Sequence, residues 1–561
     1  MLYPQSNRFR RVCSLNGLWK FRTVADDYLP REAVADARLM AVPASYNEIV
    51  TEKPLRDYLG KVLYEREFSL PAPAAGEKVY LRIGAASHAC KVYLNGEEAG
   101  GCINGYFPAD IPLSLRDGKN RLSVIIDNRL NFHTLPPGMP EYGRLTINHD
   151  FYNFTGLHRD VLLYSVPEEH IEDIAVRTVV GGDYGKIAIE VTPAGLAGLR
   201  CTVLDAEGKT VAEGGCELCI PRPRLWSPQD PYLYTVRVQT QKDEYEQSFG
   251  IRKVSWDEKG LLLNGERIYL KGVGMHEDFW ILGKGNNAAV NVRDFELLRW
   301  LGANSVRTSH YPYSEEFMHL ADVYGTLVID EVPAVGLNAW KGGTFRPDRV
   351  NEETRELHKE LIRLLAARDK NHPCVVMFSV ANEPATEEPA SRDYFEDVIA
   401  VAREMTDLPI MIAEVTKFSQ VSQVADLVDF TALNRYYGWY EEHGWLDYGA
   451  AALEKELRQW HEKYGKPVLL TEFGADTIEG LHTLPSEAFS EEYQTEFLQE
   501  TCKVLDSLPF IAGEHVWNFA DFKTKQGVIR VRGNRKGIFT RERQPKMAAH
   551  WLRRRWKGEN L

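Results

Sequence analysis

A chain of 561 residues exceeds what one hydrophobic core organises, so two to four domains are expected. With 44% hydrophobic and 26% charged residues it has an ordinary globular composition, and no run of 18 apolar residues offers a membrane span. The formal net charge of −13 argues against nucleic acid or an anionic membrane as partner, because neither field would attract it.

The N-terminal stretch MLYPQSNRFRRVCSLNGLWKF has no apolar segment of signal-peptide type and runs directly into strand-like sequence. Eight scattered Cys suit reduced thiols, so a cytoplasmic location is expected. Cys216 and Cys219 form a C-x-x-C without a second pair or a neighbouring His, which does not read as a metal site.

Residues 1–168 read as all-β. Alternating runs such as KVYLRIGAA and KVYLNGEEAGG are broken by turn pairs, and Asn95-Gly96 is a strong hairpin signal. The unpatterned segment 131–160, NFHTLPPGMPEYGRLTINHDFYNFTGLHRD, is long for a compact domain and therefore points to a functional loop. Residues 169–253 give several short strands (IAVRTVV, KIAIEVTP, CTVLDAEG, LYTVRVQT), the size of an immunoglobulin-like β-sandwich, crossed by the Pro-rich PRPRLWSPQDPY.

From 254 to 561 the pattern changes. Strand-like runs occur at 267–275, 303–309, 326–332, 374–383, 408–415, 430–436, 466–473 and 510–519, with helical periodicity between them. SEEFMHLADVYG, for example, sets Phe317, Leu320, Ala321 and Tyr324 on one face behind a Ser cap and two Glu. Eight such strands predict a (β/α)8 TIM barrel.

Catalytic groups of a barrel sit where its strands end. Here nearly every run closes on polar residues: His276-Glu277-Asp278, Arg307 and His310, Asp330-Glu331, Asn382-Glu383, Glu414, Asn434 and Tyr436, Glu472, and Trp517-Asn518. Any one of these acids could be a helix cap or a rim ion pair. Glu383, closing strand four, and Glu472, closing strand seven, could instead face each other across a substrate. Two carboxyls about 5–5.5 Å apart are what retaining glycoside hydrolysis requires, one protonated and one ionised. Spacing leaves open which is which. No His-Glu-x-x-His or other ligand pair accompanies Glu277 and Asp278, so neither metal nor cofactor is expected.

The motifs RTSHYP (307–312), ARDKNHP (367–373), ANEP (381–384), NRYYGWY (434–440), TEFGAD (471–476) and HVWNFADF (515–522) resemble those of glycoside hydrolase family two, and within it the bacterial β-glucuronidases. The resemblance covers the whole chain and implies a sugar-binding-like jelly roll, an immunoglobulin-like sandwich and a catalytic barrel. It implies Glu383 as acid/base and Glu472 as nucleophile, Asn382 on the sugar 2-hydroxyl, and Tyr436 on the nucleophile. It further implies Trp517 and Tyr440 as pocket lining, His276 and His310 as donors to sugar oxygens, and Asp150 of the long loop on the C4 or C3 hydroxyl. Relatives are commonly tetramers, so a homo-oligomer is implied.

Near the C-terminus VRGNRKGIFTRERQPK gathers six basic residues around one acid. A charge run is ordinarily a solvated face. Asn534-Arg535-Lys536, however, matches the Asn-x-Lys motif of the β-glucuronidases, which would hold a C6 carboxylate, with Arg530 assisting on the same side. Arg535 is expected to point away; Arg541, Arg543 and Lys546 are expected to be solvated. The substrate implied is a glucuronide conjugate or glucuronate-terminated oligosaccharide. A β-galacturonidase differs only at C4, a β-galactosidase has no use for the cation, and a carbohydrate-binding pseudoenzyme would not need both Glu. Little sequence separates Glu331 from the next helical pattern, which points to an open mouth.

Overall fold

The alternation of the first domain becomes two antiparallel sheets sharing one core in the computed structural model, which describes residues 2–338 and 340–559. Met1, Ala339, Asn560 and Leu561, included in the expected domain ranges, lie outside these. One sheet orders Arg11–Ser14, Val161–Pro167, Glu77–Ile83 and Ala109–Leu113. The other orders Arg38–Val42, Gly17–Val24, Lys61–Leu70, Gly118–Asp127, Ala89–Leu94 and Glu97–Cys102. Asn95 and Gly96 join the last two with φ of 55° and 94°, the left-handed pair that a two-residue hairpin turn demands.

The second sandwich packs a three-stranded sheet (Asp173–Gly181, Tyr184–Thr192, Glu217–Pro221) on a four-stranded one (Thr210–Gly214, Arg200–Leu204, Tyr234–Gln239, Glu244–Phe249). The Pro-rich stretch forms no strand. Its Trp226 is fully buried against the third domain and donates from Nε1 to the carbonyl of Asp322 at 2.9 Å. A short sheet, Val254–Asp257 with Gly260–Leu263 and Glu266–Ile268, then inserts Leu261 and Leu263 into the barrel core.

All eight expected strands are present and close into a parallel barrel: β1 (Leu270–Gly274), β2 (Ser305–Arg307), β3 (Leu327–Glu331), β4 (Val375–Asn382), β5 (Ile410–Glu414), β6 (Thr431–Asn434), β7 (Val468–Glu472) and β8 (Ile511–Val516). Nearly every strand residue is buried, because helices cover the outside and side chains fill the inside. The expected helix at 315–324 is there, with Ser314 Oγ accepting from Phe317 N at 3.1 Å and Gly325 ending it at φ 71°.

One alternation lapses. Among the described residues no helix joins β5 to β6; instead Lys466 Nζ donates to the carbonyls of Ala425 (2.7 Å) and Val428 (2.5 Å) in that link. Side-chain donors thus satisfy backbone acceptors that a helix would have paired internally.

Candidate active site

Closing the barrel carries the strand ends into one ring. Arg307 ends β2, Glu331 β3, Asn382 β4, Asn434 β6 and Glu472 β7, while Glu383 follows β4 and Trp517 follows β8. Arg307 is fully buried and ties the ring together. Its Nη1 donates to Glu331 (2.6 Å) and Asn382 Oδ1 (3.3 Å), and its Nη2 to Glu472. Asn434 Nδ2 donates to Asn382 Oδ1 (3.1 Å) and to Glu383 Oε1 (2.9 Å). Tyr436 OH donates to Glu472 Oε2 at 2.6 Å. Glu383 has φ of 50°, a left-handed conformation costly for a non-glycine residue and characteristic of functional sites.

Burial disfavours both carboxylates and raises both pKa values. Glu472 is pushed up to about 8, with repulsion from Glu383 adding to burial while Arg307 and Tyr436 pull the other way. Glu383 is also raised by burial, opposed chiefly by its bond from Asn434. Two carboxyls that repel across one site titrate as a pair, so the donors decide which one keeps the proton. Glu472 receives a guanidinium N–H and a phenol O–H; Glu383 receives one amide. Guanidinium can only donate, so Glu472 is the better anion and Glu383 the better acid. Burial also keeps Tyr436 a neutral donor, its pKa well above the usual phenol value. Glu331 holds its charge despite burial because Arg307 and His310 bring it down to about 2. It therefore balances Arg307 and frees Glu472 for chemistry.

One wall of the ring is aromatic. His310 stacks on Trp517 with ring centroids 5.2 Å apart, and its Nδ1 lies 2.8 Å from Glu331. His276 Nδ1 lies 3.0 Å from Tyr311 OH, and its buried Nε2 has no protein partner. Burial lowers the pKa of both imidazoles, so each is a neutral ring with one N–H: His276 keeps it at Nε2, while His310 gives it to Glu331 from Nδ1 and leaves Nε2 as an acceptor.

At the rim, the long first-domain loop reaches the barrel as expected. Phe151 bridges Thr524, and Tyr152 N donates to the carbonyl of Lys523 at 2.9 Å. Asp150 is thereby held over the basic segment. It accepts from Arg530 Nε (3.0 Å to each oxygen) and from Asn534 Nδ2 (2.8 Å). Lys536 donates to Tyr440 OH at 2.8 Å and pairs with Asp476. Arg530 Nη2 meets the same Tyr440 OH at 2.7 Å, whereas its Nη1, 3.5 Å from Asp476, has no hydrogen bond. Two cations and two acids thus balance before any further anion arrives.

Gly533 makes this arrangement possible. Its φ is 120°, and a Cβ there would stand 2.3 Å from the carbonyl oxygen of Phe522, to which Asn534 N donates at 2.9 Å. Gly533→Ala is expected to displace Asn534 and Lys536 and to lower kcat/KM by roughly 10-fold or more, from strain of about 1–3 kcal/mol. Steady-state kinetics beside a melting curve checks this; an unchanged kcat/KM would mean the segment tolerates the shift.

The rest of the basic run corrects the sequence expectation. Arg535 does turn away, to Asp521 and Glu479. Arg543 and Lys546, expected in solvent, are buried and paired with Asp294 and Asp521, and Arg541 is mostly buried against Glu48 and Asp278. Buried charges persist only when paired, and these partners lie far away in sequence. Asp476 and Arg307 are the residues whose roles were missed. Asp476 stood within the TEFGAD motif, and a cation destined for burial implies an acid beside it. Asp322, His372 and Cys374 bring three metal-ligand types within 4.8 Å, but His372 Nδ1 is 2.5 Å from Asp322 and the group flanks the start of β4, away from both Glu. Cys216 and Cys219 carry free thiols.

Comparison with known proteins extends this geometry to a family. The model described as "Glycosyl hydrolases family 2, sugar binding domain" matches residues 12–167, "Glycosyl hydrolases family 2" matches 169–252, and "Glycosyl hydrolases family 2, TIM barrel domain" matches 254–560. A curated β-glucuronidase of Paenibacillus borealis is 42% identical, over 99% of this chain and 98% of its own length. The solved β-glucuronidase of an uncultured Clostridium is 44% identical, with a TM-score of 0.96 and full coverage of both chains. That of Ruminococcus gnavus in complex with uronic isofagomine is 38% identical, with a TM-score of 0.95 over 100% of this chain and 99% of the other.

Proposed function

This chain belongs to glycosyl hydrolases family 2, and from that premise we propose that it is a retaining exo-β-glucuronidase. The observation that carries the substrate is the cation pocket at the barrel mouth. Asn534 and Lys536 are each 1% exposed, and Arg530 keeps an unbonded guanidinium N–H beside them. A neutral sugar would waste such buried donors; a C6 carboxylate uses them. Relatives named β-glucuronidase, one of them solved in complex with uronic isofagomine, support the same reading.

Catalysis then follows from the ring. Glu383 protonates the leaving oxygen while ionised Glu472, oriented by Arg307 and Tyr436, attacks the anomeric carbon; water assisted by Glu383 then releases the sugar. Asn382, its Oδ1 committed to Arg307 and Asn434, has Nδ2 free to donate to the 2-hydroxyl. His276 gives an N–H bond to a sugar oxygen. His310, expected as a second donor, instead accepts a sugar hydroxyl at Nε2 because its N–H is held by Glu331. Trp517 and Tyr440 wall the pocket, and Asp150 receives the C4 or C3 hydroxyl.

The remaining assignments are part of the same proposal. Domains run 1–168, 169–253 and 254–561, supported by sheet membership. A homo-oligomer follows from the family resemblance, and a cytoplasmic location from eight free thiols; no described helix is long and apolar enough to cross a membrane. A panel of nitrophenyl β-glycosides tests the substrate. Glucuronide is expected to exceed glucoside and galactoside by roughly 100-fold or more in kcat/KM, the value of about 3 kcal/mol for a satisfied buried charge. Equal rates would sink the reading, and a galacturonide preference would reassign the C4 contact. A glucuronate-terminated oligosaccharide belongs in the same panel, because an open mouth favours it over the aryl compound.

A further inference from the structure

One open cleft contains neither catalytic Glu. It measures about 660 Å³, within the range of small-ligand sites, and the basic segment forms part of its lining. Its lining includes Trp280, Lys523 and Lys525, Arg530 and Arg532, and Phe522. Seven basic side chains line it (Arg56, Lys523, Lys525, Arg530, Arg532, Arg535, Arg541) against four acids (Glu48, Glu479, Asp521, Glu542), in a chain of net charge −13.

Most of those cations are matched. Lys523 and Arg541 share Glu48, Arg535 pairs with Asp521, Arg530 with Asp150, and Arg56 with Asp57. Lys525 and Arg532 have no acid partner among the described residues; Lys525 Nζ reaches only the carbonyl of Ile147, at 2.7 Å. Beside them Trp280 is 62% exposed, a large apolar face left open in a charged cleft. Free cations take anionic groups, and an exposed indole takes the C–H face of a pyranose. Inorganic anions would leave Trp280 unused, and neutral sugars would leave the cations unused.

We propose that this cleft is an accessory binding site for an anionic saccharide, a chain bearing carboxylate or sulfate groups. The inference does not rest on the activity proposed above. Its position suits retention of a polymer: Phe522, which lines the cleft, packs its ring on His276 at 4.3 Å, so the two sites share a wall. A chain held here raises the local concentration of its own ends at the catalytic pocket. The repulsion of the acidic remainder is screened beyond about 8–10 Å at physiological salt, whereas the cleft acts in contact.

The test is calorimetric titration of the full chain with α-linked tetragalacturonate, which carries charge but no β-glucuronide bond. Cellotetraose and inorganic tripolyphosphate serve as comparisons. Tetragalacturonate is expected to bind more tightly than either, less so as salt rises, and at least tenfold more weakly to Trp280→Ala and to Arg532→Glu. Both variants should hydrolyse a small aryl glucuronide as the parent does, which shows the fold and catalytic pocket intact. Absence of binding overturns the proposal. So does binding indifferent to both substitutions, or tripolyphosphate binding as tightly with no effect of Trp280→Ala. Because binding is read without turnover, a failure of glucuronide hydrolysis would count against the proposed activity alone.

Discussion

Glu472→Gln is expected to lower kcat by about 10⁴-fold or more, a loss of roughly 5–6 kcal/mol of transition-state stabilisation. The amide keeps the shape of the site. Its oxygen can still accept from Arg307, and its N–H can donate to Tyr436 OH, which accepts in turn. What disappears is the nucleophile. Survival of aryl glucuronide hydrolysis in this variant would remove Glu472 from that role. The pH dependence separates the two carboxyls. Rate requires Glu472 ionised and Glu383 protonated, so kcat/KM should fall on both sides of a maximum. Burial raises both pKa values, which moves both limbs upward from the ordinary carboxylate range. In Glu383→Gln, assayed with a leaving group that needs no protonation, the alkaline limb should vanish and the acid limb should stay in place. An acid limb that rises by a unit or more would mean that Glu383 ionises first and that the proton resides on Glu472.

Removing the cation at Lys536 should cost about 2–5 kcal/mol in kcat/KM for a glucuronide, roughly 30- to 5,000-fold. The structure changes how this must be measured. Lys536 is buried against Asp476, so Lys536→Ala alone strands an acid in the interior at about 3–5 kcal/mol of stability. The double variant Asp476→Asn, Lys536→Gln removes both charges at nearly constant volume. It is expected to keep most of the melting temperature, to lose the glucuronide rate, and to leave glucoside hydrolysis within about tenfold. Equal losses on every sugar would make the pair structural.

The same pair shows where reading a sequence stops. Asn534 and Lys536 could be proposed as a carboxylate site because two residues of one short motif, similar to that of the β-glucuronidases, lie together in the chain. Asp476 was not, although it stands in a motif of its own, because nothing in one dimension states that it meets Lys536. Arg543 and Lys546 were misread for the same reason: as letters they resemble any solvated charge run, and only their burial beside Asp294 and Asp521 distinguishes them.

Local physics left a clear trace elsewhere. The left-handed turn at Asn95-Gly96, the Ser314 cap and the eight apolar runs ending in polar residues all depend on neighbours a few positions away. Period and turn chemistry therefore disclosed the barrel, and strand ends singled out Glu383 and Glu472 as the candidate pair. The proposed choice of acid rests instead on Arg307, Tyr436 and Asn434, which the barrel brings together. A proton's location is set by donors in space and by the dielectric around them. Neither exists until the barrel has closed.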